Sequence, residues 1–278
     1  MANIFLRFPE GRKKALTLSY DDGVEQDIKL VEIMNKYGLK GTFNLNSGIY
    51  AEEGTIYPEG QVHRRMTEKQ INETFMNSGH EIAVHSLTHP FLEQLPVHMA
   101  VNEIIKDREN LEKQFGTIVR GMAYPYGTFS DDVVEALRLC GLAYARTVIP
   151  SKDFKIPRDW LRLSATCHHT APDFEVLTKK FIEDKVTQGP YLFYLWGHSY
   201  EFEANDNWGL IEDFAKYVGN RDDIWYATNI EIYDYIDAYN RLQFSVDGRR
   251  IKNPSSTSVW FEHSEKIIKI EAGATIEI

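Results

Sequence analysis

Short apolar runs alternate along the chain with segments whose apolar residues recur at helical spacing. Residues 15–19 (ALTLS) are typical of a buried strand and lead into the polar turn 20–23 (YDDG). Apolar residues then recur at helical spacing over 28–37, and Gly38 supplies a natural C-terminal stop. Residues 41–45 (GTFNL) predict a second strand. This is one strand–helix–strand unit in about 30 residues.

The same alternation continues to about residue 240. Further strands are predicted at 81–84, 118–123, 143–148, 191–196 and 224–227. Further helices are predicted within 67–79, 97–115, 130–141, 174–186, 210–218 and 230–239. Strands that alternate with helices indicate an α/β fold with a mostly parallel sheet. Six or seven such units favour a closed or nearly closed barrel over a small open sheet.

The pattern changes after about residue 241. Short alternating strands are predicted at 243–246, 259–262, 267–270 and 275–278, with turn signals at 247–248, 253–256 and 272–273. We therefore expect two parts. Residues 1–241 would form the catalytic barrel, and residues 242–278 a small C-terminal β appendage without a catalytic signature.

Composition and net charge limit the classes of binding partner that we expect. The 278 residues suffice for one barrel-sized domain. The net charge of -10 repels phosphate backbones, so we expect no nucleic-acid partner. No apolar stretch approaches the roughly 20 residues needed to span a bilayer, so no membrane partner is expected. The sequence as it stands opens without a leader pattern, which makes a cytoplasmic location the default, or an extracytoplasmic one if a leader was removed. The oligomeric state is left open.

Chemically similar polar residues follow several of the predicted strands. Asp21 and Asp22 follow the first strand, His85 and His89 follow the third, and His198 follows a later one. In a parallel barrel the carboxyl ends of the strands share one face, where the loops assemble active sites. We therefore expect these residues, although far apart in sequence, to form one site.

The residue types suggest a metal centre. On a helical turn, His85 and His89 would point to the same side and could share one ion. Asp22 would complete a three-ligand site with an open position for water, the usual pattern of catalytic zinc, which lowers the pKa of that water to about 7. Asp21, directly beside it, could take the proton of the water. A solvated Asp-Gly turn and an ordinary surface histidine pair are the alternatives.

Four segments make the interpretation more specific. In order, 18–23 (LSYDDG), 85–89 (HSLTH), 124–127 (YPYG) and 195–198 (LWGH) resemble the motifs of the polysaccharide deacetylases, carbohydrate esterase family four, across roughly residues 15–240. The resemblance implies a distorted (β/α) barrel of six to seven parallel strands and the removal of acetyl groups from N-acetylated sugars.

The resemblance also implies a role for each matching residue. Asp21 would be the catalytic base and His198 the general acid, and the backbone N–H of Tyr126 would help to hold the oxyanion. The ligands of a divalent metal, with zinc expected, would be Asp22, His85 and His89. Amide hydrolysis needs the same parts: an activated water, a stabilised oxyanion and an acid for the departing amine.

Two features depart from the family pattern. The family usually has an Arg just before its Pro-Tyr-Gly, where it orients the catalytic Asp, but this chain has Ala123-Tyr124 there. Arg120 could not take that place without a shift of the strand, so Arg158 and Arg162, from another loop, are the candidates to replace it. Residues 167–169 (CHH) add two histidines, for which loop histidines are favoured over a second metal site. His63, His80 and His98 are interpreted as structural or surface residues.

Three functions remain open on these grounds. The leading one is a metal-dependent deacetylase of N-acetylated saccharides. Because the base lacks its usual Arg, the second is a hydrolase of a non-sugar amide or a cyclic ureide or imide. The third is a catalytically retired carbohydrate-binding protein, which is disfavoured because base, ligands and acid are all present. The substrate is accordingly expected to be a carbohydrate or a small amide.

Overall fold

The computed structural model describes residues 3–278. The strands are β1 (Ile4–Arg7), β2 (Lys14–Asp21), β3 (Gly41–Leu45), β4 (Glu81–Val84), β5 (Gly121–Ala123), β6 (Tyr144–Arg146), β7 (Cys167–His168), β8 (Tyr191–Gly197), β9 (Ile224–Tyr226), β10 (Gln243–Phe244), β11 (Arg250–Lys252), β12 (Val259–His263), β13 (Lys266–Ile270) and β14 (Thr275–Glu277). The helices are α1 (Gln26–Lys36), α2 (Glu68–Phe75), α3 (Val97–Phe115), α4 (Asp131–Leu139), α5 (Phe174–Glu183), α6 (Tyr200–Ala204), α7 (Trp208–Val218) and α8 (Asn229–Asn240).

A curled parallel sheet forms the centre of the molecule. Its strands follow the order β6-β5-β4-β3-β2-β8-β7, and β9 pairs with the first residues of β2. All eight residues of β2 are buried, which explains the continuous apolar run that the sequence shows there. Segment 163–168 joins the two ends of the sheet, since Leu163 donates to the carbonyl of Ala145 and Thr166 to that of Tyr194. The predicted distorted (β/α) barrel with six to seven parallel strands is confirmed.

Helices on the outside of the sheet begin and end where the local chemistry predicts. Thr67 and Gln70 form the predicted capping box at the start of α2, and Ser130 caps α4 by accepting from the Val133 amide. α3 ends at Gly116, whose φ of 64° is left-handed. Apolar faces of these helices pack on the sheet in one large core. None of the helices within residues 3–278 is long and apolar enough to cross a membrane.

The last strands form two small antiparallel sheets, ordered β1-β12-β13 and β10-β11-β14. β1 is a strand that the sequence analysis missed; Ile4–Arg7 pairs with β12, and the buried Arg7 bonds Glu262 at 2.9 Å. The start of the chain therefore packs on its end. The division into 1–241 and 242–278 stays a prediction, and its first two residues lie outside the described residues.

Candidate active site

The carboxyl ends of β2, β4 and β8 and the loop after β5 surround one open pocket with a volume of about 520 Å³. All six predicted site residues line it: Asp21, Asp22, His85, His89, Tyr126 and His198. Three further lining residues, His63, Arg65 and Tyr200, come from the loop before α2 and from α6. The convergence expected from the strand-end positions is therefore present.

Asp22 faces the two histidines of the second motif. Its Oδ1 lies 3.6 Å from His89 Nε2 and 3.9 Å from His85 Nε2. His85 is fully buried and His89 largely so, and one ligand atom from each of the three residues lies within 4.8 Å of the others. The three side chains therefore surround a space that one ion could fill.

The hydrogen-bonding pattern leaves Asp22 Oδ1 and His85 Nε2 available to bind a cation in this space. Asp22 Oδ1 is buried and has no hydrogen-bond partner within residues 3–278. His85 Nδ1 lies 2.8 Å from the carbonyl of Ala123, which can only accept, so Nδ1 carries the proton and Nε2 offers its lone pair to the space. Burial lowers the pKa of both histidines, to about 4 for His89, which keeps the rings neutral as metal ligands must be. The donor set fits a divalent metal of the zinc class.

The other oxygen of Asp22 is held by His63. His63 Nε2 donates to Asp22 Oδ2 at 3.2 Å, and Arg65 donates to the Asp22 backbone carbonyl at 2.7 Å. Burial would raise the pKa of Asp22, but the His63 hydrogen bond and the neighbouring charges hold it well below its usual range. The interpretation of His63 as a structural or surface residue is therefore incomplete, because its ring belongs to the pocket.

The motif 85–89 owes its shape to left-handed residues rather than to the predicted helical turn. Ser86 and His89 have φ of 63° and 61°, and the segment is not helical. Asp22 (φ 82°) and Tyr126 (φ 57°) share this uncommon conformation. Left-handed residues other than glycine cost on the order of 1–3 kcal/mol each and cluster at functional sites. The expectation of a helical turn was wrong, although the two rings do converge.

A buried carboxyl on α3 fixes the start of that motif. Asp107 accepts from the amide of His85 at 3.0 Å and from that of Ser47 at 2.7 Å. Burial raises its pKa to about 7. Sequence reasoning missed this residue, yet a signal was available, because Asp107 stands at the helical spacing of Ile104 and Leu111, where an apolar residue is expected.

Asp21 is buried beside the metal space and is held by two partners. Asn44 Nδ2 donates to its Oδ1 at 2.8 Å, and Arg146 Nη2 forms an ion pair with its Oδ2. Burial would raise the pKa of Asp21, but Arg146, followed by His85 and His198, outweighs it and lowers the pKa. Asp21 is therefore an oriented carboxylate, as a general base must be.

Arg146 takes the place of the arginine that the family usually has just before its Pro-Tyr-Gly motif. It is buried at the end of β6, and its guanidinium carbon lies 4.3 Å from the centre of the Trp196 ring. The expectation that Arg158 or Arg162 would substitute was wrong, because Arg158 is exposed and Arg162 pairs with Asp131 and Asp159. Arg120 pairs with Asp234. An arginine inside the otherwise uncharged strand 143–148 was the available signal, since a buried charge needs a partner.

The loop after β5 presents Tyr126 at the rim. Pro125 has no N–H, and the Tyr126 amide forms no hydrogen bond with other described residues. This amide is thus free to donate to a ligand. The Tyr126 ring is half exposed and stacks on Phe91, with 3.9 Å between centroids and 11° between planes.

His198 stands across the pocket from the metal space. Its Nε2 lies 3.9 Å from Asp21 Oδ2, and its Nδ1 donates to Glu201 Oε1 at 3.3 Å. Burial would lower the pKa of His198, but Glu201, followed by Asp21 and Asp22, outweighs it and raises the pKa. The raised pKa favours the protonated form of His198, which a general acid needs.

Glu201 also lies close to the two histidines of 167–169. Its Oε2 is 3.2 Å from His168 Nε2 and 2.9 Å from His169 Nε2. The contacts of His168, His169 and His198 with Glu201 outweigh the effect of burial and hold the pKa of Glu201 well below its usual range. The two histidines are thus part of the site's surroundings rather than isolated loop residues. Sequence reasoning left Glu201 without a role.

Comparison with known proteins agrees with this geometry. The polysaccharide deacetylase family model matches residues 9–145. The peptidoglycan-N-acetylglucosamine deacetylase PgdA of Listeria monocytogenes is 24% identical over 144 residues, and a chitooligosaccharide deacetylase of Sinorhizobium fredii is 26% identical over 148 residues. These alignments cover 51% and 52% of this chain, but only 27% of the Listeria protein and 59% of the Sinorhizobium protein.

A solved structure shares the fold over most of the chain. It is a Mycobacterium smegmatis protein assigned to the polysaccharide deacetylases, with a TM-score of 0.60 and 16% identity, covering 86% of this chain and 96% of that one. The family match spans five of the six predicted site residues: Asp21, Asp22, His85, His89 and Tyr126. The resemblance that the sequence motifs carry is therefore confirmed, and residues 9–145 form a segment of the polysaccharide deacetylase family.

Proposed function

We propose that this protein is a metal-dependent hydrolase that removes acetyl groups from N-acetylated saccharides. The observation that carries the proposal is the buried Oδ1 of Asp22, which forms no hydrogen bond within the described residues and faces the Nε2 atoms of His85 and His89 at 3.9 and 3.6 Å, with Arg65 Nη2 at 3.5 Å. Asp21 and His198 lie next to this space, with 3.9 Å between Asp21 Oδ2 and His198 Nε2. The likeness to a peptidoglycan and a chitooligosaccharide deacetylase supports the substrate class.

Each residue then has a defined task. Asp22, His85 and His89 would hold the divalent metal, for which zinc is expected, and the metal would supply Lewis acidity to the attacking water and the amide carbonyl. Asp21, oriented by Arg146 and Asn44, accepts the proton of the water.

Two further groups complete the reaction. The free N–H of Tyr126 donates to the oxygen that becomes negative as the amide carbon turns tetrahedral. His198, kept protonated by Glu201, gives a proton to the departing amine of the sugar. The amide bond breaks, acetate leaves, and the sugar retains the amine.

The ureide and imide alternative was motivated by the lack of an arginine for the base. Arg146 supplies that charge from β6, so Asp21 has the partner that a sugar deacetylase of this kind needs. The pocket is also open and carries the exposed Tyr126–Phe91 stack at its rim, and aromatic faces of this kind suit sugar rings. Both features favour the saccharide substrate.

The test is acetate release from chito-oligosaccharides by chelator-treated protein, before and after Zn²⁺ is restored. We expect activity only with metal; Asp22→Ala should bind no metal at the Asp22–His85–His89 site and should show no activity. Asp234→Ala, which removes an exposed aspartate of α8, should retain both. A parallel assay follows amine release from small ureides and imides. Turnover of ureides alone would overturn the saccharide substrate, and full activity without metal would overturn the metal dependence.

A further inference from the structure

Glu201 is the centre of a second group of metal-binding side chains, next to the pocket. His168, His169 and His198 surround it, and we call these four residues the Glu201 cluster. One ligand atom from each of His168, His198 and Glu201 lies within 4.8 Å of the others. None of these three atoms belongs to the Asp22 site, because His198 turns Nδ1 to Glu201 and Nε2 to the pocket.

The distances from Glu201 to His168 and to His198 suit a bound cation better than charge-assisted hydrogen bonds. His168 Nε2 is 3.2 Å from Glu201 Oε2, and His198 Nδ1 is 3.3 Å from Glu201 Oε1. Charge-assisted N–H···O⁻ bonds are about 2.7–2.9 Å long. Zinc bonds of about 2.0–2.1 Å place two ligand atoms of a tetrahedral site about 3.3 Å apart.

Unpartnered buried atoms in the cluster point to the same conclusion. His169 is only 1% exposed, yet neither its Nε2 nor Glu201 Oε2, 2.9 Å away, makes a hydrogen bond to any residue of the described chain. Buried polar atoms are normally satisfied, and water or an ion is one of the partners that accounts for an exception. Without a metal, His168 Nδ1 accepts from the Thr170 amide at 3.2 Å; when Nε2 ligates a metal, Nδ1 would instead carry the proton and donate to Thr170 Oγ1, 2.7 Å away.

We propose that His168, His198 and Glu201 form a second site for a divalent cation of the Zn²⁺ or Cu²⁺ class. Two imidazoles and one carboxylate match the ligand preference of these ions. Binding replaces the proton on His198 Nδ1, and the imidazolium that the proposed function requires as acid can no longer form. Filling this site therefore inhibits hydrolysis. The inhibition rests on the proposed function, whereas the binding does not.

Metal stoichiometry tests the site without an activity assay. Chelator-treated protein is titrated with Zn²⁺ and with the spectroscopic probe Co²⁺. We expect two equivalents in the wild type, one in His168→Ala, one in Asp22→Ala and none in the double variant. His98→Ala, which removes an exposed histidine of α3, should bind two. Glu201→Gln, an isosteric change, provides a second variant that should lose the second equivalent.

Activity measured as a function of added Zn²⁺ tests whether filling the second site inhibits hydrolysis. In the wild type, turnover should peak at one equivalent and fall about tenfold or more as the second site fills, since a general acid contributes at least that much. In His168→Ala the fall should be absent. A single equivalent in the wild type, or two in His168→Ala, would overturn the second site even if the protein deacetylates sugars. Two equivalents in a protein that releases no acetate would retain the site and reject the proposed function.

Discussion

The two walls of the pocket are built in different ways. One, which we call the metal wall, holds Asp21, Asp22, His85 and His89 at the ends of the buried strands β2 and β4. The other, the acid wall, is the Glu201 cluster, and its side chains come from β7, the loop after β8, and α6. The metal wall is almost fully buried, whereas His168, His198 and Glu201 are partly exposed.

Burial and charge set opposite protonation states on the two walls. On the metal wall, burial lowers the pKa of His85 and His89 and keeps both rings neutral. On the acid wall, Glu201 and the two aspartates raise the pKa of His198 despite its burial. Identical side chains thus become metal ligands on one wall and a proton donor on the other. The partners of a histidine, more than its motif, therefore determine its chemistry.

The largest expected effect comes from replacing Asp21, the proposed base on the metal wall. Asp21→Asn keeps the hydrogen bond to Asn44 possible but removes the group that accepts a proton. We expect kcat for acetate release to fall on the order of 10²–10⁴-fold, the usual contribution of a general base. Metal content should be unchanged, because Asp21 is not a ligand. Turnover close to the wild type would remove Asp21 from the mechanism.

The second effect concerns the partner of that base. Arg146→Met leaves Asp21 buried without its ion pair, which raises the pKa of Asp21 and costs about 3–5 kcal/mol of unfolding free energy. Both activity at neutral pH and stability against urea should fall. Arg162→Met, which breaks two exposed pairs, should change stability by about 0.5 kcal/mol or less. Equal stability losses in the two variants would contradict the role of Arg146.

The contacts of Asp21 and His198 also show which parts of the fold and the site could be predicted from the sequence. The barrel and the metal wall follow from local patterns, because apolar strands run directly into Asp21, Asp22 and His85. Glu201 stands only three residues after His198, so that contact had a local signal, whereas Arg146 contacts Asp21 through tertiary packing and is 125 residues from it in sequence. No local sequence pattern predicts the pairing of Arg146 with Asp21. β1 was missed for the same reason, since its pairing partner β12 lies at the other end of the chain.

A third prediction concerns the effect of the Glu201 charge on His198 in the acid wall. Glu201 raises the pKa of His198, so His198 is protonated up to a higher pH than an ordinary histidine. Glu201→Gln removes this charge, the pKa falls, and the protonated acid is lost at a lower pH. The alkaline limb of kcat/KM should therefore move to lower pH.

The matched control for this shift lies on the same helix. Glu203 bonds Arg64 and Gln26 instead of a histidine, so Glu203→Gln should leave the alkaline limb in place. If both variants moved the limb equally, the shift would reflect the general charge of α6. An unmoved limb in Glu201→Gln would reject His198 as the group that titrates there.

The smallest effect concerns the rim between the two walls. Phe91 lies outside the pocket lining but stacks on Tyr126, whose amide is the proposed oxyanion donor. Phe91→Ala removes the contact that orders the Tyr126 ring, which is about 0.5–1.5 kcal/mol, so KM for chito-oligosaccharides that pack on this ring should rise by about 12-fold at most. We expect kcat to stay near the wild-type value, since the backbone at Tyr126 is held by the Gly127–Tyr124 hydrogen bond. Met99→Ala, which shortens an exposed apolar side chain of α3, should leave KM unchanged. A fall in kcat with constant KM would instead mean that Phe91 positions the oxyanion donor.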